Sequence, residues 1–266
     1  FVRFTSRTES QPSLSVPYVG FYGSWGKPAI FDALASDGKG HMRASGLYDG
    51  ETGTPLGFNP VQRPSERPER PDAYGYVISR AEASGAPRVL EPRTGTLRGV
   101  HTLTTTYTNE AGEVVASFER HQNWKSVFDP LTTEVSWVER EHESTALDLR
   151  SEAYKDLLDG EYALTVSAHN DGPSRTEQSI SYKFRIDTTA PVIEDVRYSG
   201  KDDDTVVTLT VVDSSPMAAF DLHDPADGLW FYRHIFTPSE GSVGEDGAYS
   251  YHVELPIMTI MQAWEN

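Results

Sequence analysis

Alternating apolar and polar residues form most of the recognisable pattern in this chain. Alternation at every second position is typical of strands that bury one face of a sheet. Turn-forming residues separate these runs at spacings of about 8–12 residues, which is typical of a β-sandwich. The pattern predicts strands at residues 1–5, 14–22, 74–79, 88–91, 94–107, 114–119, 134–139, 161–168, 179–186, 195–199, 205–212, 218–221, 228–237 and 248–254.

One segment is predicted to be helical instead. Residues 151–158 begin with a serine cap and an acidic first turn, and Asp159-Gly160 ends the segment. Two helical turns are unstable on their own. We therefore expect this helix to pack on the sheet through Tyr154, Leu157 and Leu158.

Residues 16–32 alternate aromatic residues with glycines, which predicts a strand that ends in a turn. Core packing of a single strand is the simpler interpretation of this pattern. We expect the aromatic residues of this stretch to pack the joint between two modules. They are Tyr18, Phe21, Tyr22 and Trp25.

The same region carries a family resemblance. Residues 14–25 read Leu-Ser-Val-Pro-Tyr-Val-Gly-Phe-Tyr-Gly-Ser-Trp, and Pro-Ala-Ile-Phe-Asp follows at 28–32. This run resembles the end of the fibronectin-type-III-like domain that follows the catalytic domain in cell-envelope subtilisin-like serine proteases, the lactocepin and streptococcal complement-cleaving peptidase group. The resemblance covers only a small part of the chain.

Two further motifs resemble bacterial surface modules. Asp-Gly-Glu-Tyr-Ala-Leu-Thr-Val at residues 159–166 resembles the penultimate strand of immunoglobulin-like and fibronectin-like modules, with Tyr162 in the place of their corner tyrosine. Asp-Thr-Thr-Ala-Pro-Val-Ile at residues 187–193 resembles the junction between consecutive modules. Pro191 keeps this junction extended, and we expect it to contribute to the module joint.

Together these features predict an all-β chain of tandem fibronectin III/immunoglobulin-like β-sandwich modules, with one short helix in the middle module. We expect residues 1–34 to be the C-terminal strands of a truncated domain and residues 35–188 to form a sandwich. The third unit, residues 189–266, is expected to be a second sandwich that is itself incomplete. The proline-rich and glycine-rich segment 33–71 is predicted to be a long surface loop.

The amino-acid composition excludes several kinds of binding partner and chemistry. Forty acidic residues against 23 basic ones give a net charge of −17, which repels nucleic acid and suits a secreted protein. The chain has no cysteine, so thiol nucleophiles and disulfides are excluded. No apolar run approaches the roughly 20 residues of a membrane span.

The motifs of a catalytic subtilisin-like domain are missing from the sequence. There is no Gly-Thr-Ser-Met-Ala, His-Gly-Thr or Asp-Thr-Gly segment, and no Gly-x-Ser-x-Gly elbow. No histidines are spaced as metal-binding pairs. Glu139, Glu141 and Glu143 are better explained as one solvated strand face than as the carboxylate pair of a glycosidase. We therefore predict no catalytic residues in this chain.

Two weaker kinds of site are left open. Clustered carboxylates suit calcium, although a solvated turn is the simpler interpretation and no EF-hand spacing is present. These candidates are Asp202, Asp203, Asp204, Asp221, Asp224 and Asp227. Trp124 and Trp230 are candidates for stacking on sugars, although aromatic residues in sandwiches are more often core residues.

The resemblance implies a non-catalytic accessory region of an extracellular or cell-wall-attached subtilisin-like serine protease, whose catalytic domain lies upstream of Phe1. Its partners would be that protease domain, in the same chain, and a large protein substrate. The region would act as a spacer and a surface for substrate recognition. The alternative is a carbohydrate-binding or adhesin module on the same kind of scaffold.

Overall fold

The computed structural model describes residues 2–8, 10, 12, 14–16, 22–24, 26–41, 45–59, 61, 75–81, 85–123, 127–128, 135–136, 144–170, 176–226, 228, 230–237 and 239–265. These residues form mostly β-sheet, with one short α-helix, α1, at Ile257–Glu265. No helix of these residues is long and apolar enough to cross a membrane. The strands are β1 Val2–Phe4, β2 Leu14–Val16, β3 Gly46–Asp49, β4 Val77–Ile78, β5 Val89–Arg93, β6 Val100–Asn109, β7 Val114–Asn123, β8 Val127–Phe128, β9 Val135–Ser136, β10 Leu147–Asp148, β11 Gly160–Asn170, β12 Glu177–Ile186, β13 Val192–Ser199, β14 Val206–Asp213, β15 Ala219–His223, β16 Trp230–Ile235, β17 Gly241–Val243 and β18 Tyr249–Pro256.

The largest sheet has the strand order β4-β12-β11-β6-β7. Its long strands pair antiparallel, and the short β4 pairs parallel with β12. Tyr162, Leu164 and Val166 of β11 are all buried, so the shared apolar face predicted from their alternation is confirmed. A hairpin turn follows β6, where Asn109 and Glu113 close the turn and Gly112 takes a φ of 80°.

A second, three-stranded sheet has the order β10-β5-β3. Its buried leucines, Leu47, Leu90 and Leu147, join the buried face of the large sheet in one continuous core. We call this core the first cluster, and we call β3–β7 with β10–β12 the N-terminal sheet group. The first cluster consists of Ile30, Phe31, Leu47, Ile78, Leu90, Val100, Leu103, Tyr107, Ala116, Leu147, Leu149, Tyr162, Leu164, Val166, Ala168, Tyr182, Phe184 and Ile186.

The end of the 16–32 stretch, Ile30 and Phe31, belongs to the first cluster. Ile30 is fully buried, and its backbone N–H donates to the Gln178 side chain at 2.8 Å. Phe31 forms an isolated bridge with Thr96 and is also buried. Residues 30–31 therefore contribute to the core of the residues that follow them. The described strands before them, β1 and β2, pair only with each other.

The remaining strands surround a separate core. The sheet β13-β14-β18-β17 and the hairpin β15–β16 enclose Leu209, Val211, Phe236, Tyr251, Val253 and Leu255. Phe236 and Tyr251 lie at its centre with ring centroids 4.4 Å apart. We call this core the second cluster, and we call β13–β18 with α1 the C-terminal sheet group.

The predicted helix at residues 151–158 is wrong. Residues 152–156 form turns, in which Ser151 O accepts from Tyr154 N and from Lys155 N, each at 3.0 Å. Tyr154 and Leu157 pack against the first cluster as expected, but Leu158 is 78% exposed. So short a segment does not overcome the unfavourable nucleation of a helix when one of its three apolar anchors remains in water.

The α-helix of the described residues, α1, lies instead near residue 266, where the alternation pattern had predicted no element. The backbone N–H of Ile257 donates to Thr205 O at 2.9 Å, which ties the start of α1 to the strand β14 region. Ile260, three residues on, packs against the second cluster. Tertiary contact of this apolar turn explains why the helix forms here.

Strand boundaries differ from the predictions in several other places. The segment 33–71, predicted to be a long surface loop, contains β3, because Leu47 is buried in the first cluster. The predicted strand at 94–107 is split, because β5 ends at Arg93 and β6 begins at Val100. Thr96, between them, pairs with Phe31 instead of continuing either strand. Only β9, Val135–Ser136, of the strand predicted at 134–139 is described, and Glu139, Glu141 and Glu143 lie outside the described residues.

Candidate functional site

The acidic residues considered for calcium do not form a common site among the described residues. Asp202–Asp204 form an exposed 3-10 turn. Asp221 instead accepts two hydrogen bonds from Arg233, at 2.8 and 2.7 Å. Asp224 accepts from a backbone N–H two residues on, and Asp227 lies outside the described residues. The described part of the chain contains no group of three or more His, Cys, Asp or Glu residues arranged to hold a metal ion.

Most of the residues considered for the module joint or for stacking on sugars lie outside the described residues. Tyr22 is described and is fully exposed, and Pro191, also exposed, directly precedes β13. Trp230 starts β16, but its side chain is not described. The candidates outside the described residues are Tyr18, Phe21, Trp25 and Trp124.

Other residues connect the two sheet groups, and Asp187 is the most buried carboxylate among them. It follows β12, and its backbone N–H donates to Ile78 O at 3.0 Å, so it is anchored to the N-terminal sheet group. Its side chain is only 7% exposed. Ser214 Oγ and Ser215 Oγ, just after β14, both donate to Asp187 Oδ2. One carboxylate oxygen thus receives two hydroxyl groups from the C-terminal sheet group.

We call the contact of Asp187 with Ser214 and Ser215, together with the residues around it, the joint. Burial and hydrogen bonding shift the pKa values of its acid groups in opposite directions. Burial alone would raise the pKa of Asp187, but the hydrogen bonds from Ser214, Ser215 and the Thr189 N–H lower it overall. Asp213 behaves differently, because burial and the neighbouring Asp187 carboxylate raise its pKa. The hydrogen bonds to Asp187 therefore favour its ionised form.

The segment after Asp187 is fastened to the N-terminal sheet group by Asp159. Thr188 donates to Asp159 through its backbone N–H at 2.8 Å and through its hydroxyl at 2.7 Å. Arg80 forms an ion pair with the same carboxylate at 3.2 Å. These contacts fix the first residues of the linker before the chain enters β13.

A second connection is made by Asn59, far from the linker in sequence. Asn59 is fully buried, and its side-chain amide donates to Ala218 O at 2.8 Å and to Phe236 O at 3.2 Å. Its Oδ1 accepts from Val61 N at 3.0 Å. All polar atoms of this amide are therefore used, and a loop of the N-terminal half is bonded directly to the β15–β16 hairpin.

The serine hydroxyls of this joint are not arranged as in a Ser-His-Asp triad. A Ser-His-Asp triad needs an imidazole between the hydroxyl and the carboxylate. In this joint the hydroxyls of Ser214 and Ser215 donate straight to Asp187. These hydrogen bonds therefore fix the carboxylate in place, with no imidazole between either serine and Asp187.

The sequence identified only part of this joint. The junction at residues 187–193 was predicted from its Asp-Thr-Thr-Ala-Pro pattern, but the roles of Ser214, Ser215 and Asn59 were not. Asn59 is a polar residue beside two apolar ones in an otherwise turn-rich segment, which is the only local signal it offered. A buried amide is recognised by the carbonyl groups it meets, and these come from a distant part of the chain.

Comparison of the chain with protein-family models gives no match, and comparison with curated proteins gives none either.

Proposed function

We propose that this chain forms non-catalytic accessory modules of a secreted or cell-wall-attached subtilisin-like serine endopeptidase. The modules would be tandem fibronectin III/immunoglobulin-like β-sandwiches that act as a spacer and as a surface for recognising a large protein substrate. The observation that carries the proposal is the joint, in which Asp187 and Asn59 bond the two sheet groups at two separate points.

The spacer role is supported by the way this joint limits motion. A single extended linker would let two modules swing, because interfaces inside a chain are often small and polar. Asn59 adds a second attachment that a swinging motion would have to break. Two sheet groups attached at two points would hold a fixed distance between the parts of the protein that flank them.

The modular interpretation is supported by the two separate apolar clusters and by Tyr162. Its hydroxyl donates to Leu158 O, four residues upstream, at 2.8 Å. A tyrosine that bonds to the backbone a few residues before it is typical of the corner of immunoglobulin-like sandwiches. The resemblance of residues 14–32 is what points to the protease family.

The test uses the gene that encodes this chain. We expect a Gly-Thr-Ser-Met-Ala segment upstream of Phe1, and we expect the full-length protein to cleave casein. Deletion of residues 35–266 should leave hydrolysis of a short chromogenic peptide unchanged and should reduce casein cleavage, because only the large substrate uses the accessory surface. A purified protein of residues 1–266 should cleave neither substrate.

Two outcomes would overturn the proposal. One is cleavage of casein by residues 1–266 alone, which would make the chain a hydrolase in its own right. The other is an upstream region without the serine protease segments. A matched deletion of residues 189–266 alone separates the contributions of the two sheet groups to casein cleavage.

A further inference from the structure

The first strand of the C-terminal sheet group, β13, is an uncovered edge. It pairs with β14 on one side and with no described strand on the other. All eight of its residues are exposed, and Tyr198 is 73% exposed. They include four large apolar residues, Val192, Ile193, Val196 and Tyr198. A long apolar edge of this kind is unusual in a monomer, because its unpaired backbone groups are a template for pairing with another strand.

Two of these apolar side chains extend the inner face of the sheet beyond the second cluster. Ile193 pairs with Val211, and Tyr198 pairs with Val207. Val211 is buried in the second cluster and Val207 packs against it, so their partners on β13 lie on the core-facing side of the sheet. The hairpin β15–β16 has two strands, whereas the sheet that it faces has four. The inner face of β13 therefore stays in water.

A β-bulge in β13 decides which side chains share a face. The register with β14 shifts between Glu194 and Arg197, and Asp195 takes a φ of 52° there. The residues that pair with Glu194 and Arg197 are Thr210 and Thr208, which are two residues apart and hence on one face of the sheet. The extra residue therefore places Glu194 and Arg197 together on the outer face, although residues three apart in a regular strand point to opposite faces.

We propose that β13 is a dimerisation edge, which pairs antiparallel with β13 of a second copy of this chain. In this two-fold pairing, Glu194 of each copy lies opposite Arg197 of the other copy. Ile193 of each copy then lies opposite Tyr198 of the other copy on the inner face. The dimer gains two cross-strand ion pairs and two apolar pairs, because the strand is complementary to itself both in charge and in face. The inference goes beyond the proposed function, because it needs only this strand.

The charges of β13 are what favour a second copy as its partner. Arg197 makes a loose ion pair with Asp195 at 3.7 Å, and both side chains are largely exposed. Such a surface pair contributes little to stability, so the guanidinium can exchange it for Glu194 of the other copy. The net charge of −17 makes two copies repel each other at long range, but salt at physiological strength screens this repulsion beyond about 8 Å. The opposite edge of the sheet, β17, is only three residues long and offers a shorter ladder.

The experiment measures dimerisation of the purified chain by sedimentation equilibrium, from micromolar to submillimolar protein at an ionic strength of about 0.15 M. We expect a monomer–dimer equilibrium for the parent chain. Arg197→Glu and Glu194→Arg each place like charges opposite each other in both ion pairs, so each should weaken its own homodimer by about ten-fold or more. An equimolar mixture of these two variants should restore dimerisation, because opposite charges then face each other across the interface.

Two further variants test the assignment to this edge. Lys183→Glu makes the same change in charge as Arg197→Glu, but at an exposed position of β12 in the N-terminal sheet group, and it should dimerise like the parent chain. Tyr198→Ser removes the apolar contact on the inner face and should weaken the dimer. All the substituted residues are exposed, and far-ultraviolet circular dichroism and the melting temperature establish that each variant is folded.

Three results would contradict this dimer. One is a parent chain that stays monomeric at submillimolar concentration. Another is a mixture of Arg197→Glu and Glu194→Arg that dimerises no better than either variant alone, which would exclude the proposed register. The third is growth into species larger than the dimer, which would mean that β13 pairs head-to-tail with β17 of the next copy. The assay uses no protease activity, so its failure is independent of the proposed function.

Discussion

Replacement of Asn59 by alanine tests whether the second attachment stabilises the joint. The Asn59 amide is fully buried and donates to Ala218 O and Phe236 O, which belong to the β15–β16 hairpin region. The backbone N–H of Phe236 also donates to Ala218 O, so this carbonyl keeps a partner in the variant, whereas Phe236 O loses the amide.

The size of the effect follows from these contacts. A typical net hydrogen bond contributes about 0.5–1.5 kcal/mol, and a buried group left without its partner costs about 1–3 kcal/mol. Asn59→Ala removes both hydrogen bonds that the amide donates to these carbonyls. We therefore expect it to lower the free energy of unfolding of the C-terminal sheet group by about 1–3 kcal/mol.

The assay is urea unfolding followed by tryptophan fluorescence and, separately, by calorimetry, since two cores need not unfold together. Asn59→Asp is the matched variant, because it keeps the shape of the side chain and places an oxygen against two carbonyl oxygens. It should destabilise more than Asn59→Ala. A loss below about 0.5 kcal/mol for Asn59→Ala, the range of a surface substitution, would refute this account of the joint.

Three further predictions concern the cores and the surface. Leu164→Ala, at a fully buried position of β11, should lower the unfolding free energy by about 2–5 kcal/mol in urea titrations, whereas Val114→Ala, at a 62% exposed position, should change it by under about 0.5 kcal/mol. Burial raises the pKa of Tyr107 and of Tyr182, so these phenols stay neutral in the folded chain. The melting temperature should therefore fall as the pH rises above about 10, the pKa of tyrosine in the unfolded chain. Absorbance at 295 nm should show ionisation of these phenols only on unfolding. Asp221→Asn breaks a partly exposed ion pair with Arg233 and should lower the free energy of unfolding by under about 1 kcal/mol. Calcium or a chelator should not change the melting temperature. A calcium-dependent shift of the melting temperature that this variant abolishes would contradict the pairing of Asp221 with Arg233.

Much of the β-structure could be predicted from the sequence because its signal is local. Tyr162, Leu164 and Val166 alternate along one strand, and the same alternation decides which face is buried. The turn at Gly112 was likewise predictable, because a positive φ favours glycine at that place. Features that a few neighbouring residues determine were predicted well.

The helices were predicted poorly because their stability depended on distant contacts. Residues 151–158 have a suitable cap and stop, yet they form turns with Leu158 in water. Residues 257–265 lack an acidic first turn or a basic last turn, yet they form α1, where Ile260 meets the second cluster. A helix this short is marginal by propensity alone, so packing decided between the two segments.

The sequence by itself determined the β-rich composition of the fold and the faces of the long strands, and it predicted a junction at residues 187–193. The tertiary structure alone decided which contacts that segment makes. Asn59 is more than 150 residues from both carbonyls it binds, at separations of 159 and 177, and Asp187 meets Ser214 only after β12 and β14 are in place. Hydrogen-bond partners at such separations leave no periodic trace in the chain, because burial and direction of the groups arise only when the sheets assemble.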